Sequence, residues 1–529
     1  MEARYLSKRV PACAWRLASI QLFGRAEMAE ELLVHRLERW AELRPEVVAV
    51  RYVSEPRALT HRDAVDSISY AELYRRSCRI AAGLRTSLAV GDRALLTFSP
   101  GLDYVCAFVA CQMARIVAVP LYPPSSQANM QRFVDVARNC SAGAVLTTAT
   151  WAQRCADALS DAEVAAPVFP IEILAEHDEE LPSLELSGEL AFLQYTSGST
   201  GTPRGVMVTQ QNLAANLVAL SERFGIGPED HQASWLPPYH DMGLIAGILQ
   251  PLYDGITTTL MSPFEFLRDS LGWLDVISHF QATYTGAPNF GYAQCTRHAC
   301  DERLIGMDLR RLRLAFCGAE PVSAGVLDGF GARFASTGFD AGAFLPAYGL
   351  AEATLIVSGT QGDGVRSVLI PATTDAKFYG QQMAVQSTTV ALGRPIRDTE
   401  VCIVNPDSGV RLNDGLLGEV WVRGPGIAAG YWHSPEETQV VFRAIARPDD
   451  GRGPFMRTGD LGFLTDERLC IAGRIKDLLI VNGRNVYPQD IETAAWSADE
   501  RLRPGGQRLL PQAASPIHGS CWSRNIAIR

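Results

Sequence analysis

Between two apolar runs in LQYTSGSTGTPRGVMVT (193–209) lies a stretch of small hydroxyl residues and glycines, TSGSTGT (196–202). None of its side chains is large enough to fill a core. Backbone N–H groups and side-chain hydroxyls that converge without steric bulk suit a phosphate group. The spacing GxxxxGK[ST] of a Walker loop is absent here, and SGSTG lacks the GxSxG order of a hydrolase nucleophile elbow. Read alone, the stretch is either a nucleotide-phosphate loop or a plain Gly/Ser turn.

Two other clusters invite chemistry. CTRHAC (295–300) offers cysteine and histidine, but its spacing fits no common zinc pattern and no second ligand pair is near, so a structural use is expected and no transition metal is assigned. His240 and Asp241 stand side by side in WLPPYHDMGL (235–244). Sequence neighbours in a loop seldom point the same way, so a His–Asp dyad is not expected there.

The elements that would carry these residues alternate. Strand-like RALLTF, IVAVP and GAVLTT alternate with helix-like LDYVCAFVACQMAR and MQRFVDVARNC, and Ser69 with Glu72 forms a capping-box pattern before YAELYRRSCRIAAGL. The same rhythm brackets the glycine loop, with ELAFLQY as a buried strand and QQNLAANLVALSERF as an amphipathic helix. Repeated β-α-β units predict an α/β fold of mostly parallel, helix-covered sheets. From about Ile396 the pattern shifts to short alternating strands with Gly-rich turns, predicting a small β-rich subdomain.

The chain has 529 residues, enough for about two to four folding units. Hydrophobic residues are 47% and charged residues 20%, the balance of a globular protein with large cores. A net charge of −10 gives no general attraction to nucleic acid or anionic lipid, so any phosphate site must be local. The 12 cysteines include no CxxC pair and suit reduced thiols in a cytoplasmic protein. Residues 1–27 are basic and read as an extension before Met28, where a helix, MAEELLVHRLERWAEL, begins. Apolar runs such as GLIAGILQPLYDG are broken by Pro and Asp well before membrane-spanning length, so stable membrane insertion is not expected.

The glycine loop is the first of an ordered series: WLPPYHDMGL (235–244), FCGAEPV (316–322), YGLAEAT (348–354), GEVWVRGP (418–425), RTGDLG (457–462) and GRIKDLLIVNGRNVYPQDIE (473–492). Over roughly Met28 to Glu492 the chain closely resembles the adenylate-forming enzymes, and within them the fatty acyl-AMP ligases. The resemblance implies two α/β subdomains over 28–395, a β-rich subdomain over 396–472, and a hinge with a truncated C-terminal subdomain over 473–529. It also implies the reaction: a fatty acid carboxylate attacks the α-phosphorus of ATP, expelling pyrophosphate and leaving acyl-AMP. The acyl group then passes to an acyl carrier protein or a polyketide or peptide synthetase partner.

Site residues follow from that resemblance. Thr196, Ser197, Gly198, Ser199, Thr200, Gly201 and Thr202 would wrap the β- and γ-phosphates, with Arg204 neutralising the departing pyrophosphate where many relatives have lysine. Glu352 would hold Mg²⁺ as a hard oxygen donor. Gly318, Ala319 and Glu320 would line one face of adenine, with Tyr348 stacked on it and Gly349 also binding the nucleotide. Asp460 would accept from both ribose hydroxyls, and Arg474 would reach the ribose and phosphate edge. His240 would position substrate between the nucleotide and acyl pockets, because a carboxylate nucleophile is already ionised at neutral pH and needs no base. The apolar setting MGLIAGILQPLY suits an alkyl chain.

Acyl-CoA synthetases share these motifs. In the ligases an extra segment after YGLAEAT hinders the CoA-accepting state, and residues 358–395 are long enough to contain it, which favours the ligase over the synthetase. After IETAAW the sequence departs from the family and reads as a replaced or frameshifted tail. Relatives place a catalytic lysine in that region, whereas no lysine follows Lys476, the hinge residue. Impaired adenylation, or a degenerate protein that binds ATP and acyl chains without turnover, is the alternative expectation.

Overall fold

A computed structural model describes residues 31–59, 64–177, 189–197, 203–359, 364–371, 388–475, 479–481 and 484–486, with Ser197 and the last two segments described by their backbone alone. Two sheets dominate it. One has six strands in the order Val168–Pro170, Ala144–Thr147, Arg93–Thr97, Val117–Leu121, Leu190–Ser197 and Pro203–Thr209. Its pairs are parallel except the last, a hairpin closed by the glycine loop. Ala94, Leu95, Leu96, Val119 and Phe192 are buried, as strands covered on both faces require.

The second sheet has nine strands among the described residues, ordered Arg394–Pro395, Ile356–Gly359, Phe344–Gly349, Leu314–Cys317, Tyr284–Ala287, His231–Ser234, Thr257–Met261, Val48–Val53 and Val65–Ser69. The α/β class expected from the alternation is therefore observed. Helix Leu102–Ala114 is apolar on nearly every side, and its residues from Tyr104 onward are all buried, all but Gln112 in the main core. The helix expected from Met28 is seen as Leu33–Leu43. Ser69 caps helix Tyr70–Arg85 by accepting from the Glu72 amide, while the Glu72 side chain pairs with Arg75 rather than completing a capping box.

Helix Gln210–Phe224 has a complete box: Thr209 and Asn212 cap each other's amides. It ends at Gly225, whose φ of 58° lies in the left-handed region. Buried Asn216 on this helix bonds the Ile356 amide and the carbonyls of Ala353 and Ile356. The helix that follows the glycine-loop hairpin thereby fixes the turn carrying Glu352.

The apolar run after His240 forms a π-helix, Met242–Leu249, with every residue buried. Widened turns of this kind leave carbonyls seeking partners. Gln232 donates to Ala246 O at 2.7 Å and Thr258 to Gly247 O at 2.9 Å. A β-carbon at Gly243 would overlap the Pro237 carbonyl, so the close return of PPYHDMG requires glycine.

The β-rich region is a four-stranded antiparallel meander, Glu400–Val404, Gly418–Arg423, Met456–Thr465 and Arg468–Arg474. Against it packs a hairpin formed by Ser367–Leu369 and Thr388–Val390, the two described ends of the long segment after YGLAEAT. Val368, Ile370 and Ile475 each pack against a small core of Ala391, Leu417, Leu461, Phe463, Cys470 and Ala472. In CTRHAC, Cys295 donates to Ser270 O and His298 Nδ1 lies 3.0 Å from Ser270 Oγ, while Cys300 is exposed. Among the described residues no helix is long and apolar enough to cross a membrane.

Candidate active site

Gly318, Ala319, Glu320, Tyr348 and Gly349 lie at or just past the ends of two parallel strands of the nine-stranded sheet, the usual place for a ligand crevice in an α/β fold. Strand Leu314–Cys317 runs directly into Gly318, Ala319 and Glu320. A β-carbon on Gly318 would lie 3.0 Å from Ala347 O, and Ala319 takes a φ of 68°. Glu320 is held by the Phe290 amide at 2.8 Å. On the neighbouring strand Tyr348 donates its hydroxyl to Asp460 Oδ2 at 2.5 Å.

Asp460 is 5% exposed and joins two sheets. Its strand partner Arg474, directly opposite in register, donates Nε to Oδ1 at 3.2 Å. Burial raises the Asp460 pKa, against the opposing pull of Arg474 and the Tyr348 hydroxyl. Gly318, Ala319, Tyr348, Asp460 and Arg474 are thus brought together from parts of the chain far apart in sequence.

At the other end, the hairpin register sets Thr196 opposite Arg204 and Ser197 opposite Pro203. The loop tip expected to wrap phosphate, Gly198, Ser199, Thr200, Gly201 and Thr202, lies outside the described residues, as does Lys476. Arg204 pairs with Glu437 at 2.8 Å and lies 5.7 Å from the Tyr431 ring centre. Tyr431 in turn donates its hydroxyl to Glu352 Oε1 at 2.8 Å. Glu352 sits in a single 3₁₀ turn, Ala351–Ala353. That turn follows Gly349, where a β-carbon would overlap the Leu355 carbonyl oxygen.

His240 is exposed, with Nε2 3.1 Å from the Tyr122 hydroxyl. The rings of Tyr122 and Tyr239 lie 3.5 Å apart between centres. Surrounding protein and then the Arg132 charge lower the His240 pKa, which favours the neutral ring. Asp241 accepts from its neighbour Met242 N at 2.7 Å, and enclosure, followed by the nearby Glu352 charge, pushes its carboxyl up to about 6. His240 and Asp241 are each engaged elsewhere and form no dyad. The loop itself is held by Gln194, which donates to Tyr239 O, and Tyr104, which donates to Pro238 O.

Sequence reasoning missed Tyr122, Tyr431 and Glu437. LYPP and GYWHSPEE carry no spacing that announces chemistry, and only the fold sets their side chains beside His240, Glu352 and Arg204.

A family profile described as AMP-binding enzyme matches residues 37–432. With that match the chain belongs to the AMP-binding enzyme family. It is 36% identical to the medium-chain-fatty-acid–[acyl-carrier-protein] ligase JamA of Moorena producens (strain JHB), over 83% of this chain and 76% of that protein. It is 35% identical to the long-chain-fatty-acid–AMP ligase FadD23 of Mycobacterium tuberculosis, over 86% and 80% of the two chains. The structure of a fatty acyl-adenylate ligase from L. pneumophila in complex with acyl adenylate and pyrophosphate superimposes with a TM-score of 0.77 at 36% identity, covering 89% of this chain and 82% of that one.

Proposed function

We propose that this enzyme activates a medium- or long-chain fatty acid with ATP. A carboxylate oxygen attacks the α-phosphorus, the bond to the β-phosphate bridging oxygen breaks, and acyl-AMP and pyrophosphate result. The observation that supports this reading best is the convergence on Asp460, which takes hydrogen bonds from Tyr348 and Arg474 while Gly318 approaches Ala347, the residue before Tyr348. A carboxylate there has acceptor capacity left for ribose hydroxyls.

Most of the work in such a step is alignment and stabilisation of charge. Arg204 would shift from Glu437 to the leaving pyrophosphate, offering several donors in a plane. Glu352, a hard carboxylate donor, fits a Mg²⁺ ion, which when bound supplies charge neutralisation on the phosphates. His240, neutral and steadied by Tyr122, would orient the acid by hydrogen bonding rather than remove a proton. The buried apolar wall from Met242 to Leu249 suits the alkyl chain.

In the second half-reaction a phosphopantetheine thiol of a carrier protein loses its proton and attacks the acyl carbonyl. The C–S bond forms and the C–O bond to AMP breaks. The packing of Val368 and Ile370 against the same small core as Ile475 supports a carrier protein over CoA as acceptor, because it ties the long segment to the subdomain that leads toward the expected hinge.

The test supplies the chain with Mg²⁺, α-labelled ATP and fatty acids of graded length, then adds either CoA or a holo carrier protein. Labelled acyl-AMP that is consumed by the carrier and ignores CoA is the expected result. Rapid acyl-CoA formation would make the enzyme a synthetase. ATP binding without any adenylate would make it a binding protein.

A further inference from the structure

We propose that Tyr431 is a positioning residue for adenylate formation, its hydroxyl fixing Glu352 while its ring face fixes Arg204. The inference rests on the function proposed above and assigns a part in it to a residue outside the glycine loop and the acidic turn.

The geometry comes from one short segment that is bonded to both halves of the phosphate site. Residues 428–432 run antiparallel beside strand Pro203–Thr209, with Val206 bridging Tyr431. Met207 N donates to Gly430 O, Ala429 N to Met207 O and Trp432 N to Gly205 O, all at 2.8–2.9 Å. From the same segment Ala428 N donates to Glu352 O at 2.9 Å. The backbone therefore clamps Glu352 to the strand that leaves the glycine loop, and Tyr431 repeats that link through its side chain.

The ring is built to stay where it is. Tyr431 is 5% exposed, and Phe442 meets it edge-on at 5.1 Å between centres. Its amide donates to Thr438 Oγ1 at 2.9 Å. Gly430, with a φ of 144°, lets Thr438 approach, since a β-carbon there would overlap the threonine side chain. A rigid phenol has two separable outputs. The hydroxyl donates to Glu352 Oε1 at 2.8 Å and orients the carboxylate. The ring takes the Arg204 guanidinium at 5.7 Å, within the reach of a cation–π contact, and limits where that cation can swing. Groups that orient a metal-binding carboxylate commonly change metal affinity about 10- to 100-fold when removed.

The experiment uses the whole chain and the variants Tyr431→Phe, Glu352→Gln and the double variant. Calorimetry measures ATP binding without metal and then with graded Mg²⁺, and melting curves report the fold. Y431F is expected to raise the Mg²⁺ concentration needed for half-saturation about 10-fold. Metal-free ATP affinity should stay unchanged, because the phenyl ring still faces Arg204. In the E352Q background the same substitution should have little further effect on Mg²⁺ response, since its route is through Glu352.

An unchanged Mg²⁺ response in Y431F would overturn the proposal. So would effects of Y431F and E352Q that simply add, or a loss of melting temperature that accounts for the whole change. These binding readouts need no fatty acid. If the wild-type chain made no acyl-AMP, the proposed reaction would fall while the role of Tyr431 would still be decided by the calorimetry.

Discussion

Replacing Asp460 by alanine tests the nucleotide site most directly. A carboxylate has about four acceptor positions, and Tyr348 and Arg474 occupy one on each oxygen. One position per oxygen is left, matching the two hydroxyls of a ribose. Hydrogen bonds to a charged group contribute about 1.5–3 kcal/mol each. Water entering the alanine cavity returns part of that, leaving a loss of about 3 kcal/mol for the pair, or roughly a 100-fold weaker ATP Kd. The assay is calorimetry with ATP and with 2′,3′-dideoxy-ATP, at a temperature where both proteins are shown to be folded. The wild-type chain should prefer ATP over the dideoxy nucleotide by a similar factor of about 100, and D460A should bind the two alike. A folded D460A that binds ATP as tightly as wild type, or still distinguishes the sugars, would refute the reasoning.

Three further outcomes can be measured. Glu437→Gln frees Arg204 from a partly exposed ion pair of about 0.2–1 kcal/mol, so ATP should bind up to about fivefold tighter, with the difference fading at high salt; equal or weaker binding at low salt would rule out the exchange of partners. Asp241 has a carboxyl pushed up to about 6, against about 3.9 when unfolded, so its destabilising effect is absent below about pH 4, grows between pH 4 and 6, and is full above. Asp241→Asn keeps the cap acceptor and should add about 1 kcal/mol of stability at pH 7–8, after discounting for solvent in the cleft, with the gain vanishing toward pH 4; denaturant melts showing a pH-independent difference would contradict it. Deleting residues 361–381 should allow some acyl-CoA to form if the segment hinders CoA acceptance, and a folded deletion variant with no acyl-CoA would refute that role.

Much of the fold was legible because its signals are local. β-α-β alternation marks strands that are buried on both faces, and the shift near Ile396 marks the antiparallel meander. The Ser69 cap was legible for the same reason, since it depends only on neighbours in the chain. The π-helix was not legible: MGLIAGIL reads as any buried apolar run, and its register depends on Gln232 and Thr258 supplying donors from strands on either side of it in sequence.

The candidate site divides along the same physical line. Residue type and spacing alone nominated a phosphate loop, and ordered motifs nominated Glu352, Tyr348, Asp460 and Arg474, because a motif preserves chemistry within a few consecutive residues. The couplings between them came only from tertiary structure. Asp460 lies 112 residues from the tyrosine it bonds, and Glu352 lies 79 from Tyr431. A tyrosine is an ordinary core residue until the fold decides where its hydroxyl ends. The sequence by itself determined which groups were available for adenylate chemistry, and the packing of the 428–432 segment against strand Pro203–Thr209 decided which of them hold one another in place, since a hydrogen bond between distant residues exists only once the chain has closed the distance between them.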